Sequence, residues 1–259
     1  MTEIDKFEHD RDENINSYDG NKALNASAKE FMDETLDARY SYNFSWMGRP
    51  IIQYPQDMVA MQEIIWRVKP DLIIETGIAH GGSIIMYASY LELLGGEGMV
   101  LGIDIDIREH NRKEIENHSM FKRITLLEGS SVSEDMYEKV KAIAGNYRNI
   151  MVVLDSNHTH EHVLKELELF APLVSVGSYC VVFDSVIEDM TDDSSGDRPW
   201  GTGNNPKTAV WEFLKNNTDF KIDKNNSTYK LIQNNIHPNF FLLENDLTED
   251  NIKIDQVRN

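Results

Sequence analysis

The residues best equipped for chemistry fall in two short stretches. The first is Asp155-Ser156-Asn157-His158-Thr159-His160-Glu161-His162, which holds three of the chain's eight histidines. Clustered His and Asp side chains can ligate a transition metal such as zinc. No H-E-x-x-H pattern accompanies them, however, and a histidine tract alone is only a compositional hint. An imidazole titrates near neutrality, so one of the three could instead take a proton from a substrate hydroxyl. His158 is the first candidate for a site role. His160 and His162 are weaker ones, because capping or supporting a helix is the ordinary task of such residues. The second stretch is Ile73-Ile74-Glu75-Thr76-Gly77-Ile78-Ala79-His80-Gly81-Gly82-Ser83. Its β-branched start, its three glycines and the apolar run that follows read as strand, glycine-rich loop and helix. Such a turn brings backbone N–H groups and a helix N-terminus close to a ligand. The loop lacks the G-x-G-x-x-G spacing of dinucleotide dehydrogenases and the G-x-x-x-x-G-K-[ST] of triphosphatases. A further strand ends on Asp104, about 27 residues past Gly77, close to the spacing of an acid that binds ribose. Together these point to a nucleoside-containing ligand without a pyrophosphate.

The elements that must position these residues recur along the chain. Apolar segments at 72–74, 100–104, 124–127, 150–154 and 179–183 alternate with helical ones at 58–68, 84–94, 108–118, 133–144 and 161–170. In the first helix Val59, Ile64, Ile65 and Val68 are expected on one face. Near-continuous apolar strands between helices imply a parallel sheet covered on both faces. Each strand is followed closely by a polar residue: Glu75, Asp104, Glu128 or Ser130, Asp155 and Asp184. Ligands of open α/β sheets bind at that edge. Beyond a helix from Pro206, the segments 220–222, 229–232 and 240–243 are expected as short strands that add an antiparallel edge. The chain divides into an N-terminal arm and flap (1–45), a main domain (46–245) and a polar tail (246–259). Residues 1–24 are expected as a mobile arm or a loosely attached helix. The aromatic segment Tyr40 to Trp46 and the long loop Ile187 to Asn205 are candidate walls or lids of a pocket.

Composition narrows the classes. With 25 Lys and Arg against 44 Asp and Glu, the net charge is −19, which disfavours nucleic acid and anionic membranes as partners. No apolar run is long enough for a membrane span, and no signal peptide is expected. The single cysteine, Cys180, excludes an internal disulfide and reads as a core residue in a cytoplasmic protein. A homo-oligomer is expected, with the apolar N-terminal aromatics and the tail strands as candidate interfaces.

Several motifs resemble the cephalosporin hydroxylase / rhamnosyl O-methyltransferase family of class I S-adenosylmethionine-dependent methyltransferases. They are Trp46-x-Gly48, Gln53-x-Pro55-x-Asp57, Pro70 to Gly77, Gly102-Ile103-Asp104-Ile105-Asp106 and Leu154-Asp155-Ser156-x-His158. The resemblance runs from about Phe44 to Leu243. It implies a Rossmann-like doubly wound α/β sheet of seven strands, mostly parallel with an antiparallel edge. It also implies S-adenosylmethionine as methyl donor, Mg²⁺ as a second cofactor, and a hydroxyl of a sugar or nucleotide sugar as acceptor in surface-polysaccharide or capsule synthesis. By position, Glu75, Thr76, Gly77, Gly81, Gly82 and Ser83 would wrap the donor's methionine portion. Asp104 would hold its ribose, with Asp106 as substitute, and Gly129 and Ser130 would flank its adenine. Asp155, shared between cofactor binding, catalysis and metal, and Asp184 would ligate the metal. Ser185 would complete the shell, with His158, Glu188 and Asp189 as alternatives. Some relatives carry Glu-Asp where this chain has Phe183-Asp184. That departure keeps open a degenerate, cofactor-binding subunit. Another acceptor, such as an antibiotic, a phenol or a phosphorylated small molecule, is also open.

Overall fold

The computed structural model describes residues 1–18, 20–190, 197–223 and 240–245; for the last segment only the backbone is considered. The helices are α1 (Glu3–Tyr18), α2 (Lys22–Asp37), α3 (Pro55–Val68), α4 (Gly82–Leu94), α5 (Glu109–Glu116), α6 (Glu134–Ala144), α7 (His160–Phe170) and α8 (Pro206–Asn216). The strands are β1 (Phe44–Trp46), β2 (Arg49–Ile51), β3 (Leu72–Thr76), β4 (Met99–Asp104), β5 (Ile124–Glu128), β6 (Ile150–Leu154), β7 (Tyr179–Phe183), β8 (Phe220–Ile222) and β9 (Phe240–Asn245). Of the expected tail strands, 229–232 lies outside the described residues, as does the tail from 246 onward.

Seven strands form one sheet in the order β5-β4-β3-β6-β7-β9-β8. The first five run parallel, and β9 pairs antiparallel with both β7 and β8. Every residue of β3, β6 and β7 is buried, which is why these strands read as unbroken apolar runs. The two-residue alternation of a strand then decides which layer each side chain joins. Ile73, Val100, Met151, Val153 and Val181 face α3 and α4. Leu72, Ile74, Leu101, Val152 and Val182, with Cys180, face α6, α7 and α8.

Local chemistry sets the helix ends. Ser133 caps α6 through its Oγ, which accepts from Met136 N–H. Asn205 and Thr208 form a reciprocal capping box on α8, with Pro206 at its first turn. In α3 the inward positions are Ala60, Met61, Ile64 and Ile65, whereas Val59 is 57% exposed. The helix begins at Pro55, and the inward stripe falls on 57, 60, 61, 64 and 65, a spacing that turns Val59 outward. α4 is apolar on all sides and buried from Gly82 to Leu91, because the sheet lies on one flank and the β1–β2 hairpin and α3 cover others. α1 buries none of its residues, and α2 buries only Met32. Among the described residues, no helix is long and apolar enough to cross a membrane.

Candidate active site

The chain's path reverses direction between β3 and β6, since β4 and β5 lie on one side of β3 and β7 lies beyond β6. Such a switch point leaves a crevice at the carboxyl ends of the strands. The glycine loop leaves β3 there. Gly77 donates its N–H to the Ile103 carbonyl at 2.8 Å, and Asp155 N–H reaches the Thr76 carbonyl at 2.9 Å. Gly77 has φ 82°, and a Cβ on it would lie 2.1 Å from the Asp155 carbonyl oxygen. A Cβ on Gly82 would lie 2.2 Å from the Pro50 carbonyl oxygen. These two glycines let the loop approach its own protein neighbours, β6 and the β1–β2 hairpin.

A cleft of about 850 Å³ opens over this loop. Its floor is formed by Gly77–His80, Gly82, Ser83, Asp155, Ser156, His158 and Asp184, and its walls by Leu36, Asp37, Arg39, Ser41 and Tyr42, by residues 50–54, and by Val186, Ile187, Met190, Asp197, Arg198 and Trp200. Asp155 follows β6, and Asp184 follows β7. Asp184 has left-handed backbone (φ 56°), a conformation Asp tolerates better than most residues. The turn it makes sends the chain into a 3-10 segment, Ser185–Asp189, in which Ser185 is fully buried.

Asp155, His158 and Asp184 meet: one ligand atom from each lies within 4.8 Å of the others. His158 Nε2 is 3.1 Å from Asp184 Oδ2, and the His158 ring meets Trp200 edge-on at 4.7 Å. Gln53 Nε2 donates to Asp155 Oδ2 at 3.3 Å. Burial pushes the Asp155 carboxyl well above the ordinary range, and Asp184, Glu75, Glu166 and Asp57 add to the effect. Glu75, also fully buried, is pushed up to about 8 by desolvation; Ser83 Oγ opposes this by donating to its Oε2 at 2.9 Å, and Asp104 reinforces it. So many carboxylates with so little counter-charge make a site that would be stabilised by a cation.

The other expected site residues are placed as follows. Glu75 and Thr76 are buried beneath the loop, and Gly81, Asp104, Ser130 and Ser185 do not line the cleft. Asp104 Oδ2 accepts from Ile78 and Ala79 N–H at 2.9 and 3.2 Å, and its Oδ1 accepts from Asp106 N–H at 3.1 Å. It therefore holds the loop in shape. Ser130 accepts from Ser133 through its carbonyl. Glu188 is engaged with Gly203 and Asn205, and Asp189 with Lys207. His160 bridges to Thr208 and Glu212 on α8, while His162 contacts Ser131, Ser156 and Glu166. Phe183 is 3% exposed in the core on the α3–α4 side, so its side chain fills a packing position rather than a vacated ligand position. Of the aromatic segment, Tyr42 lines the cleft, whereas Tyr40 packs on Phe44 and Tyr54 and Trp46 donates to Ser89 Oγ.

Two further residues hold the loop, neither singled out from the sequence. Arg49 donates to the His80 carbonyl from Nε and Nη2 at 3.0 and 2.6 Å. Asn111 accepts from Arg49 and donates to the Ala79 carbonyl. No local pattern marks either, because each partner lies 30 or so residues away.

The family described as Rhamnosyl O-methyltransferase/CmcI matches residues 38–244. The rhamnosyl O-methyltransferase of Mycobacterium leprae is 32% identical over 142 residues, which are 54% of this chain and 60% of that protein. The chain thus spans about 60% of the length of that curated relative. Among solved structures, the CmcI-N160 apo-structure superposes with a TM-score of 0.54 at 16% identity, covering 80% of this chain and 78% of that one. The CmcI-D160 structure with Mg and SAM gives 0.51 at 17% identity over the same shares. At these identities the structures establish a shared fold.

Proposed function

The chain belongs to the rhamnosyl O-methyltransferase/CmcI family, and we propose that it is an S-adenosylmethionine-dependent, magnesium-assisted O-methyltransferase acting on a hydroxyl of a sugar or nucleotide sugar. The observation that carries this reading is the convergence of the Gly77–His80 loop with Asp155, His158 and Asp184 on one cleft. The sugar acceptor is supported by the name of the M. leprae relative, a rhamnosyl O-methyltransferase.

The residues fit both cofactors. A sulfonium donor is a cation, and the cleft floor beneath it is acidic. Two carboxylates within 4.8 Å of each other suit a hard divalent ion. Asp155 and Asp184 would hold magnesium, whose charge would lower the pKa of an acceptor hydroxyl. The imidazole of His158, a poorer partner for magnesium than an oxygen, is then left for proton transfer. Its orientation is fixed by Trp200 on one side and Asp184 on the other. In this reading His158 donates from Nε2 to Asp184 and would take the acceptor's hydroxyl proton on its other ring nitrogen, Nδ1. A bound donor would supply the methyl group that the acceptor oxygen takes up, the electrons of its carbon–sulfur bond staying on sulfur. Arg49, Asn111 and Asp104 contribute by holding the donor loop still, since misalignment by a fraction of an ångström is costly in such a transfer.

The test is calorimetry with S-adenosylmethionine, with and without Mg²⁺, followed by a methyl-transfer screen over free, phosphorylated and nucleotide-linked sugars. Asp155→Ala and Asp184→Ala should each abolish the response to Mg²⁺ and cut turnover at least about 100-fold. Full activity and an unchanged metal response in both variants would sink the metal assignment.

A further inference from the structure

Arginine is scarce in this acidic chain. Nine of its arginines fall among the described residues. Six of these donate to or pair with carboxylates or carbonyls. Even close sequence neighbours find each other: Arg11 pairs with Asp12 at 2.9 Å, and Arg108 with Asp106 at 4.0 Å. Among the described residues, Arg39, Arg148 and Arg198 have no such side-chain partner. Arg39 and Arg198 both line the cleft, on opposite sides of the chain's length. Asp37 and Asp197 are as near to them in sequence as the partners of Arg11 and Arg108, and also line the cleft, yet neither forms an ion pair with them.

Both arginines are placed by specific structure. Arg39 has left-handed backbone (φ 52°) at the corner between α2 and the 3-10 turn Tyr40–Asn43. A residue with a side chain adopts that conformation at a cost, and such corners gather at functional sites. The Arg198 guanidinium lies over the Trp200 ring, 5.8 Å from its centroid. Trp200 in turn meets His158, and His158 meets Asp184. A continuous path of contacts therefore leads from the acid pair to Arg198. The planar fork of a guanidinium matches the oxygens of a phosphate or a carboxylate. The carboxylates on the cleft floor repel anions in general. Two arginines at its walls would therefore admit an anionic group only where it reaches them.

Resting on the methyltransferase reading above, we propose that Arg39 and Arg198 form an anion-recognition subsite, and that the acceptor carries a phosphate or carboxylate beside the sugar ring that is methylated. Trp200 supplies the ring face between the two, with the sugar toward His158 and the anion toward Arg198.

The test compares a neutral methyl rhamnoside, rhamnose 1-phosphate, a nucleoside diphosphate rhamnose and a uronic-acid glycoside as acceptors. Wild type should prefer an anionic acceptor by about tenfold or more in kcat/KM, equivalent to one charge-assisted contact. Arg39→Gln and Arg198→Gln should each cut that preference about tenfold, through KM. Lys141→Gln, on the outer side of α6 beside Glu138 and Tyr137, should leave it unchanged. Inorganic pyrophosphate, titrated calorimetrically into the full chain without donor, should bind wild type more tightly than either arginine variant. Whether the phosphate or the uronic-acid arm is preferred identifies the anion. Equal use of neutral and anionic sugars, or arginine variants that lower both alike, would overturn the subsite. Failure of wild type to bind S-adenosylmethionine would instead count against the methyltransferase reading itself.

Discussion

Glu75→Gln should stabilise the protein, and more so as pH rises. Glu75 is fully buried, and its carboxyl is pushed up from 4.5 to about 8. The folded protein therefore keeps a proton on Glu75 through a pH range in which the unfolded chain has lost it. The unfolded state binds fewer protons there, so wild-type stability falls as pH rises from about 4.5 to about 8. Each pH unit across that window removes about 1.4 kcal/mol, and the whole shift amounts to at most about 5 kcal/mol. Gln has the same shape and no charge to desolvate, and its carbonyl can still accept from Ser83 Oγ. The stability difference between variant and wild type should thus grow by about 1.4 kcal/mol per pH unit from pH 5 to pH 8 and level off above. At about 2–4 °C per kcal/mol for a chain of this size, the melting temperatures should part by about 10–20 °C at the alkaline end. Urea titrations at pH 5, 6, 7, 8 and 9, with chelator and without donor, measure this directly. Carboxylates that do not interact with Glu75 titrate alike in both proteins and cancel in the difference, while Asp155, whose carboxyl Glu75 helps to push up, adds to it in the same direction. A difference that stays flat from pH 5 to pH 8 would refute the assignment of Glu75 as a buried, neutral acid.

Two further outcomes follow from the geometry. His158→Gln should lower kcat by about 10²–10⁴ while Mg²⁺ affinity, followed by calorimetry, stays near that of wild type; a collapse of metal affinity instead would make His158 a ligand. Gly77→Ala should destabilise the fold by about 3 kcal/mol or more, because its Cβ would strike the Asp155 carbonyl oxygen from a left-handed backbone; unchanged urea unfolding would show that the loop relaxes freely.

What the sequence made legible follows the physics of burial. β3, β6 and β7 are covered on both faces, so each is apolar throughout and its limits can be read within a residue or two. The acids after them could be read for the same reason, since a charge following such a run must mark the sheet edge. Strand order is different in kind. Nothing in the composition of β9 says that it inserts between β7 and β8. α1 has no buried face and so no apolar stripe to read. At the site, Asp155 and Asp184 were visible, but the turn that buries Ser185 and leaves His158 beside Asp184 depends on the left-handed backbone at residue 184. Asp104 had the spacing of a ribose ligand, whereas its visible bonds go to the loop amides. Spacing along the chain is common to both roles and cannot separate them. Arg49 carries no local signal because its target is a backbone carbonyl on another element.

The packing at Gly77 bears on how this family diverges. What forbids a side chain there is not a bound molecule but the backbone carbonyl of Asp155, just past the neighbouring strand β6. Selection for a folded sheet is then sufficient to retain glycine at this position. A descendant that had lost its donor, its metal or its acceptor would keep Gly77 all the same. Loss of activity in such a lineage would be recorded instead at positions the fold does not need, such as His158 and the arginines of the cleft walls.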